Sequence, residues 1–160
     1  MKAIYPGSFD PITYGHVDII ERASEVFDEL VIVIMQNDDK HSLFTEEERA
    51  EMCRKSTAHI KNVSVMIGNG LTVDFAKKIG ATILVRGIRA VTDYEYEMQL
   101  ATANMALNSE IHTVFLVAQP QFSFLSSSTA KTIAKNKGDL RFFVPDCVAE
   151  ELVKKYEKGE

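Results

Sequence analysis

The chain has 160 residues, a net charge of −5 at pH 7 and an isoelectric point near 5.4. Apolar residues make up 46% and charged residues 26% of it, which are ordinary values for a globular protein with a buried core. The acidic balance argues against a general electrostatic binder of nucleic acid, because such proteins carry a basic surface. No apolar run approaches the roughly 18 residues that a membrane span needs. We therefore expect one domain, residues 1–160, with neither nucleic acid nor a membrane as a partner.

Two features favour the cytoplasm. The first residues of the chain reach a proline at position 6 without forming the apolar segment of a signal peptide. Cys53 and Cys147 are isolated and lack metal-ligand spacing, which predicts reduced thiols in the core or on a helix.

Short apolar runs at residues 3–5, 30–35, 63–67, 82–85 and 112–118 predict five strands, and helical patterns separate them. Strands joined through helices form parallel βαβ units whose crossovers are right-handed. We therefore predict an α/β fold with a doubly wound five-stranded parallel sheet, similar to a Rossmann dinucleotide-binding fold. In such a sheet, ligands bind at the carboxyl ends of the strands.

Four helix starts carry polar capping signals. Thr45 followed by Glu48 predicts a capping box. A second capping box is predicted at Thr92, opening a helix that runs to about residue 107. Thr72 is predicted to be an N-cap after the third strand, and Asp146 to cap the last helix.

Residues 5–16 join the first strand to an amphipathic helix and contain two prolines and two glycines. These residue types favour a turn, because glycine tolerates positive φ and proline fixes φ near −65°. A strand, a glycine loop and a helix together present free backbone N–H groups at the helix N-terminus, where phosphate binds readily. His16 falls at this helix start and can face such a ligand. The alternative is an ordinary turn with a surface histidine.

Polar residues follow three of the other strands. After the second strand, Lys40 lies in a polar loop at the edge of the sheet where a functional site is expected. The alternative is a solvated loop without a function. Arg86 and Arg89 flank a glycine at which we expect the backbone to turn. Arginine is a forked, permanent donor suited to phosphate oxygens, although ion pairs with Asp93, Glu95 or Glu97 would also explain both side chains.

Three consecutive serines, residues 126–128, precede the helical stretch after the fifth strand. They predict a second phosphate-binding helix start, with simple N-capping as the alternative. Two anion-binding helix starts and an arginine pair at neighbouring strand ends indicate a nucleoside triphosphate.

Several of these segments together resemble the bacterial phosphopantetheine adenylyltransferases of the nucleotidyltransferase superfamily, in order and spacing over nearly the whole chain. The segments are Gly7-Ser8-Phe9-Asp10-Pro11, Thr13-Tyr14-Gly15-His16, Arg86-Gly87-Ile88-Arg89 and Phe124-Leu125-Ser126-Ser127-Ser128, supported by residues 44–49 and 89–100. Two positions depart from the superfamily pattern: Thr13 stands where many members have histidine, and Lys131 where many have arginine.

The resemblance implies a Mg²⁺-dependent transfer of the adenylyl group from ATP to 4′-phosphopantetheine, which gives dephospho-coenzyme A and pyrophosphate. It further implies a homohexamer and feedback inhibition by coenzyme A. His16 would stabilise the transition state, and the phosphopantetheine site would contain Ser8, Lys40, Thr72 and Arg86. The residues implied to bind ATP are Ser8, Phe9, His16, Gly87, Ile88, Arg89, Glu97, Phe122, Ser123, Phe124, Leu125, Ser126, Ser127 and Ser128; no Mg²⁺ ligand is implied. The alternatives are a sister adenylyltransferase acting on nicotinamide mononucleotide, a cytidylyltransferase, and a regulatory module that binds nucleotide without catalysis.

Overall fold

A computed structural model describes residues 1–37, 39 and 41–159 of the chain. The strands of the described residues are β1 (Lys2–Gly7), β2 (Glu29–Met35), β3 (Val63–Gly68), β4 (Ile83–Ile88) and β5 (His112–Val117). The α-helices of these residues are α1 (Tyr14–Val26), α2 (Glu46–Ser56), α3 (Thr72–Lys78), α4 (Val91–Leu107), α5 (Ser127–Lys135) and α6 (Asp146–Glu157), with a short 3₁₀ helix at Pro120–Phe122.

The five strands form one parallel sheet in the order β3-β2-β1-β4-β5, which confirms the predicted doubly wound fold. The chain first builds outward from β1 to β3 and then returns to place β4 on the other side of β1. Pairing between β1 and β4 stops at Ile4 and Leu84, although β1 continues to Gly7 and β4 to Ile88. The two central strands therefore separate towards their carboxyl ends. A crevice opens at the point where the strand order reverses, which is where open α/β sheets bind ligands.

Helices cover both faces of the sheet, and each face has its own apolar core. On one face, α1, α2, α5 and α6 bury side chains such as Ile20, Met52 and Leu152 against alternate residues of the strands. On the other face, α3 buries Val73 and Ala76. Because both faces are covered, the central strands are nearly continuous apolar runs.

Helix α4 differs from the other helices in what it buries. Glu97 is its one buried residue, whereas six of its large apolar side chains are at least two-fifths exposed. These exposed side chains are Val91, Tyr94, Tyr96, Met98, Met105 and Leu107. None of the helices in the described part of the chain combines the length and the apolar character that crossing a membrane requires.

The capping box at Thr45 is confirmed: its backbone N–H donates to Glu48 Oε2 at 2.8 Å, and Glu48 N–H donates to Thr45 Oγ1 at 3.2 Å. The predictions for the other three helix starts were wrong by one or two positions. Thr72 and Asp146 are the first residues of their helices, behind N-caps at Leu71 and Pro145 that use no side chain.

Helix α4 also starts earlier than predicted, with Ala90 as its N-cap. Thr92 therefore lies inside the helix and does not form the predicted capping box with Glu95; the Asp93 carboxylate accepts the backbone N–H of Arg89 at 3.1 Å. The predicted turn at Gly87 was wrong as well, because β4 pairs with β5 up to Ile88. Arg86 and Gly87 are therefore strand residues at the carboxyl edge of the sheet.

The two cysteines fit their prediction. Cys53 is buried on α2, Cys147 is partly buried on α6, and both are free thiols.

Candidate functional site

His16 lies in the first turn of α1 and is fixed there by a reciprocal capping box with Thr13. The Thr13 backbone N–H donates to His16 Nδ1 at 3.0 Å, and His16 N–H donates to Thr13 Oγ1 at 3.4 Å. A ring nitrogen that accepts a backbone N–H cannot carry a proton, so the neutral imidazole carries its proton on Nε2. The capping box therefore orients His16 with a donor available to the cavity that the ring lines.

The His16 imidazole is neutral in the free protein. Burial, together with the positive charges of Arg89 and Arg86, lowers its pKa from 6.5 to about 4. Bound anionic phosphates would oppose the two arginines and raise the pKa again. Either way Nε2 keeps its N–H, because protonation would add a proton to Nδ1.

The segment between β1 and α1, residues 8–13, is called the first loop here, and it begins with a tight turn at residues 7–9 next to His16. Phe9 has a φ of 47°, a left-handed conformation that side chains larger than glycine seldom adopt. Its ring packs edge-on against Tyr5 and His16, with centroid separations of 5.2 and 5.0 Å. Gly7 leaves room for this ring, because a Cβ there would lie only 3.0 Å from Phe9 Cε2. The aromatic packing of Phe9 thus holds Ser8, whose side chain is exposed, at the mouth of the crevice.

Two side chains from other elements bind the backbone of this loop. The guanidinium of Arg49, on α2, is almost completely buried and donates to the Ser8 carbonyl at 2.8 Å. Ser127 Oγ, on the first turn of α5, donates to the Pro11 carbonyl at 2.7 Å. These two hydrogen bonds fix the position of the loop relative to α2 and α5.

The buried carboxylate of Asp10 connects three segments. Its two oxygens accept the backbone N–H groups of Leu43 and Phe44 at 2.9 and 3.0 Å, and one of them accepts Lys131 Nζ at 3.1 Å. Asp10 thereby ties the first loop to the segment that follows β2 and to α5. This contact also gives Lys131 a partner inside the protein.

Arg86 projects from β4 towards α4 and forms a two-bond ion pair with Glu97. Its Nε and Nη2 atoms lie 2.7 and 2.6 Å from the two carboxylate oxygens, and Nη1 donates to the Pro6 carbonyl at 2.6 Å. Burial disfavours the charged guanidinium, but the bonds and the charge of Glu97 outweigh it and raise the pKa of Arg86. The ion pair proposed from sequence as the alternative to phosphate contact is therefore present.

Arg89 lies beyond the end of β4 and contacts two segments. Its guanidinium pairs with Asp93 at 3.1 Å and donates to the Leu125 carbonyl at 2.6 Å. Burial raises the pKa of Asp93, but its hydrogen bonds with Arg89 prevail and lower it. Arg89 joins the start of α4 to the segment before α5.

The three serines have different roles at the start of α5. Ser126 is the N-cap and accepts the backbone N–H of Thr129 at 3.1 Å. Ser127 binds the first loop, and Ser128 is exposed. The N-capping alternative thus accounts for Ser126 alone.

Two cavities open at the carboxyl edge of the sheet, and they share part of their lining. The first cavity, of about 290 Å³, lies towards α1 and α5; the second, of about 310 Å³, lies towards α3 and α4. Both are lined by Pro6, Gly7, Ser8, Arg86 and Glu97. A molecule in one cavity therefore meets a molecule in the other at the first loop and the Arg86–Glu97 pair.

Most of the residues predicted for the site line one of these cavities. The first cavity contains Ser8, Phe9, His16, Arg86, Gly87, Arg89, Glu97, Phe122, Leu125, Ser126 and Ser127. The second contains Ser8, Thr72, Arg86 and Glu97. Ile88, Ser123, Phe124 and Ser128 line neither, and Lys40 lies outside the described residues.

The chain was compared with known proteins. A family model described as cytidylyltransferase-like matches residues 4–133. A phosphopantetheine adenylyltransferase of Caldanaerobacter subterraneus subsp. tengcongensis is 47% identical over 157 residues, which cover 98% of this chain and 98% of that protein. Another of that name from Finegoldia magna is 47% identical over 155 residues, covering 97% and 96%. The chain belongs to the phosphopantetheine adenylyltransferase family. The family resemblance seen in the sequence motifs is thereby confirmed.

For this phosphopantetheine adenylyltransferase family member, sequence reasoning missed one wall of the second cavity. Four residues of α4 with helical spacing line it: Glu97, Leu100, Ala101 and Asn104. Of these only Glu97 was predicted. Spacing of three, four and seven residues marks one face of a helix, so the signal was present in the sequence.

The same family resemblance implies Mg²⁺. Among the residues that the structure describes, there is no group of three or more His, Cys, Asp or Glu side chains that could hold a metal ion. The carboxylates of the first cavity, Asp93 and Glu97, are already paired with arginines. The described residues therefore offer no protein cage for a metal ion; Mg²⁺ that is bound through a nucleotide's phosphates would not need one.

Proposed function

We propose that this protein transfers the adenylyl group of ATP to 4′-phosphopantetheine, yielding dephospho-coenzyme A and pyrophosphate. The observation that carries the proposal is the junction of two cavities at Ser8 and Arg86. A reaction between a nucleotide and a second phosphorylated substrate needs two such sites that meet at the reacting phosphates. The names of the relatives supply the identity of the second substrate.

The chemistry needs positioning and charge stabilisation more than a base. A phosphate monoester is already anionic at neutral pH, so an oxygen of phosphopantetheine can attack the α-phosphorus of ATP directly. The bond to the β-phosphate breaks in line, and pyrophosphate leaves. Catalysis then rests on donors aimed at the charge that develops during this exchange.

His16 Nε2, Arg89 and the N-termini of α1 and α5 supply these donors in the first cavity. We assign this cavity to ATP and the second cavity to phosphopantetheine. Arg86 and Ser8 stand at the junction, and Thr72 and the predicted Lys40 belong to the phosphopantetheine side. Mg²⁺ would enter with ATP and share the charge of its phosphates.

We further propose that copies of the chain associate, with the family resemblance supporting six. The exposed apolar side chains of α4 support a contact between copies, since exposed apolar surface on one element often marks an interaction site. Feedback by coenzyme A fits the same site, because coenzyme A contains both substrate halves. Two free cysteines support a cytoplasmic location.

The decisive assay is the release of pyrophosphate from ATP with phosphopantetheine as the acceptor, compared with nicotinamide mononucleotide. We expect release with phosphopantetheine alone. Release with nicotinamide mononucleotide would favour the sister enzyme, and release with neither acceptor would favour a binding module.

Two His16 variants test the assignment of the transition-state donor. His16→Ala removes both the donor and the capping acceptor, whereas His16→Gln keeps an acceptor suited to the capping box. Both should bind ATP and lose turnover by about a hundredfold or more. Full activity in either variant contradicts the role of His16.

A further inference from the structure

The hydroxyl of Tyr5 has an unusual position in the first cavity. Tyr5 is 6% exposed and lies on β1, where that strand has parted from β4. Within residues 1–37, 39 and 41–159, nothing forms a hydrogen bond with its Oη. No fully buried side-chain oxygen or nitrogen among these residues lacks a partner, so Tyr5 Oη must retain some accessible surface. Since Tyr5 lines the first cavity, its Oη opens into that space.

Neighbouring groups define where this hydroxyl lies. The Tyr5 ring contacts Phe9 edge-on, and its centroid is 6.4 Å from that of His16. On the β4 side, a Cβ added to Gly87 would lie 3.7 Å from Tyr5 Oη. That distance is an ordinary contact, so the hydroxyl lies beside Gly87 in the space between β1 and β4.

The charges around Tyr5 suit a donor to an anion. Burial raises the pKa of Tyr5 to about 12, with Glu97 acting in the same direction and with Arg86 and Arg89 opposing. The hydroxyl therefore keeps its proton throughout the physiological range. Arg86 and Arg89 line the same cavity and are paired there with Glu97 and Asp93, so an anion beside Tyr5 would meet guanidinium N–H groups in surroundings of balanced charge.

We propose that Tyr5 Oη donates a hydrogen bond to a phosphate oxygen of the nucleotide bound in the first cavity. This inference rests on the proposed function. Among the described residues the hydroxyl has no hydrogen-bond partner in the free protein, so it is available to a ligand. A ligand that supplies an anionic oxygen forms a charge-assisted hydrogen bond with it on binding. Tyr5 is thus a further binding residue of this cavity, near His16.

Tyr5→Phe tests the proposal because it deletes only the hydroxyl. In the free protein it should leave the urea unfolding midpoint unchanged or raised, since no hydrogen bond is lost. The affinity for ATP, measured by calorimetry, should fall about tenfold or more, as expected for a bond to a charged acceptor. The affinity for adenosine, which has no phosphate, should not change. Tyr156→Phe, on α6 and outside both cavities, is the matched control and should alter neither affinity.

Two results would overturn the inference. They are an unchanged affinity of Tyr5→Phe for ATP, whatever its unfolding midpoint, and an equal loss of affinity for ATP and adenosine. The ATP affinity of Tyr5→Phe and the pyrophosphate assay together distinguish a wrong role for Tyr5 from a wrong proposed function. An active wild type with normal ATP binding in Tyr5→Phe refutes the inference alone. A wild type that releases no pyrophosphate, combined with weakened ATP binding in Tyr5→Phe, refutes the function alone.

Discussion

Acidification should destabilise the free protein through His16. The pKa of this side chain is lowered from 6.5 to about 4 in the folded state, chiefly by burial and then by Arg89 and Arg86. Between these two values the unfolded chain binds a proton that the folded protein does not. The free energy of unfolding therefore rises with pH across this window, and it falls when pH is lowered from 6.5 to 4. Below the window both states are protonated and His16 contributes no further slope.

The size of the effect follows from the difference between the two pKa values. Each unit corresponds to about 1.4 kcal/mol, so full acidification across the window should remove about 3 kcal/mol of stability. This is a large share of the roughly 5–15 kcal/mol typical of a folded domain. Protonation also removes the acceptor on Nδ1 that binds the Thr13 backbone N–H.

His16→Gln provides the matched comparison for urea unfolding between about pH 4 and pH 8. Glutamine can accept the same backbone N–H in the capping box but does not titrate. Carboxylates with lowered pKa values, such as Glu48 and Asp93, also weaken the fold in acid, but equally in both proteins. The difference between the two free energies should be flat above pH 6.5 and shift by about 3 kcal/mol towards the variant by pH 4. Free energies that stay parallel throughout would refute the lowered pKa.

Three further substitutions test other parts of the site and fold. Glu97→Gln should raise KM for both substrates in steady-state kinetics, because Arg86 loses the carboxylate that orients it between the cavities; unchanged KM values would contradict that role. Arg49→Met should lower the free energy of urea unfolding by about 3 kcal/mol and slow turnover, because the Ser8 carbonyl loses its donor. Normal turnover would show that the loop does not need this hydrogen bond. Gly68→Ala should lower the unfolding free energy by about 1–3 kcal/mol, because the new Cβ would lie 2.7 Å from Val33 Cγ1. An unchanged unfolding free energy would mean that the end of β3 can shift.

The sheet was predictable because its signal is local and repeated. Five apolar runs separated by helical patterns determine a parallel sheet, and the right-handed crossover leaves few topologies to choose from. The strand end at β4 was harder to predict. A glycine after an apolar run usually marks a turn, but Gly87 continues pairing with Leu116 on β5. Its small size instead suits the close approach of Ile19 on α1, whose Cγ1 would lie 3.2 Å from an added Cβ.

Helix starts show a similar limit of local sequence. The capping box at Thr45 was predictable because both partners lie within one turn. At Thr72 the threonine has entered the helix, and the N-cap is the apolar Leu71. At α4 the helix begins before Thr92, behind an N-cap at Ala90, and Asp93 accepts the backbone N–H of Arg89. The Arg89 side chain is held by the Leu125 carbonyl, a contact distant in sequence that residues 92–95 do not reveal.

From the sequence, Arg86 was expected either to form an ion pair or to contact a phosphate. Its hydrogen bonds in the structure are compatible with both. A guanidinium has five N–H groups, and described residues use three of them, two for Glu97 and one for the Pro6 carbonyl. The remaining N–H groups belong to nitrogens at the border of the two cavities. Glu97 offsets the charge of Arg86 in the free protein and restricts its rotamers, so little order remains to be gained when a phosphate arrives. The ion pair thus keeps a partly buried arginine oriented at the junction of the two cavities.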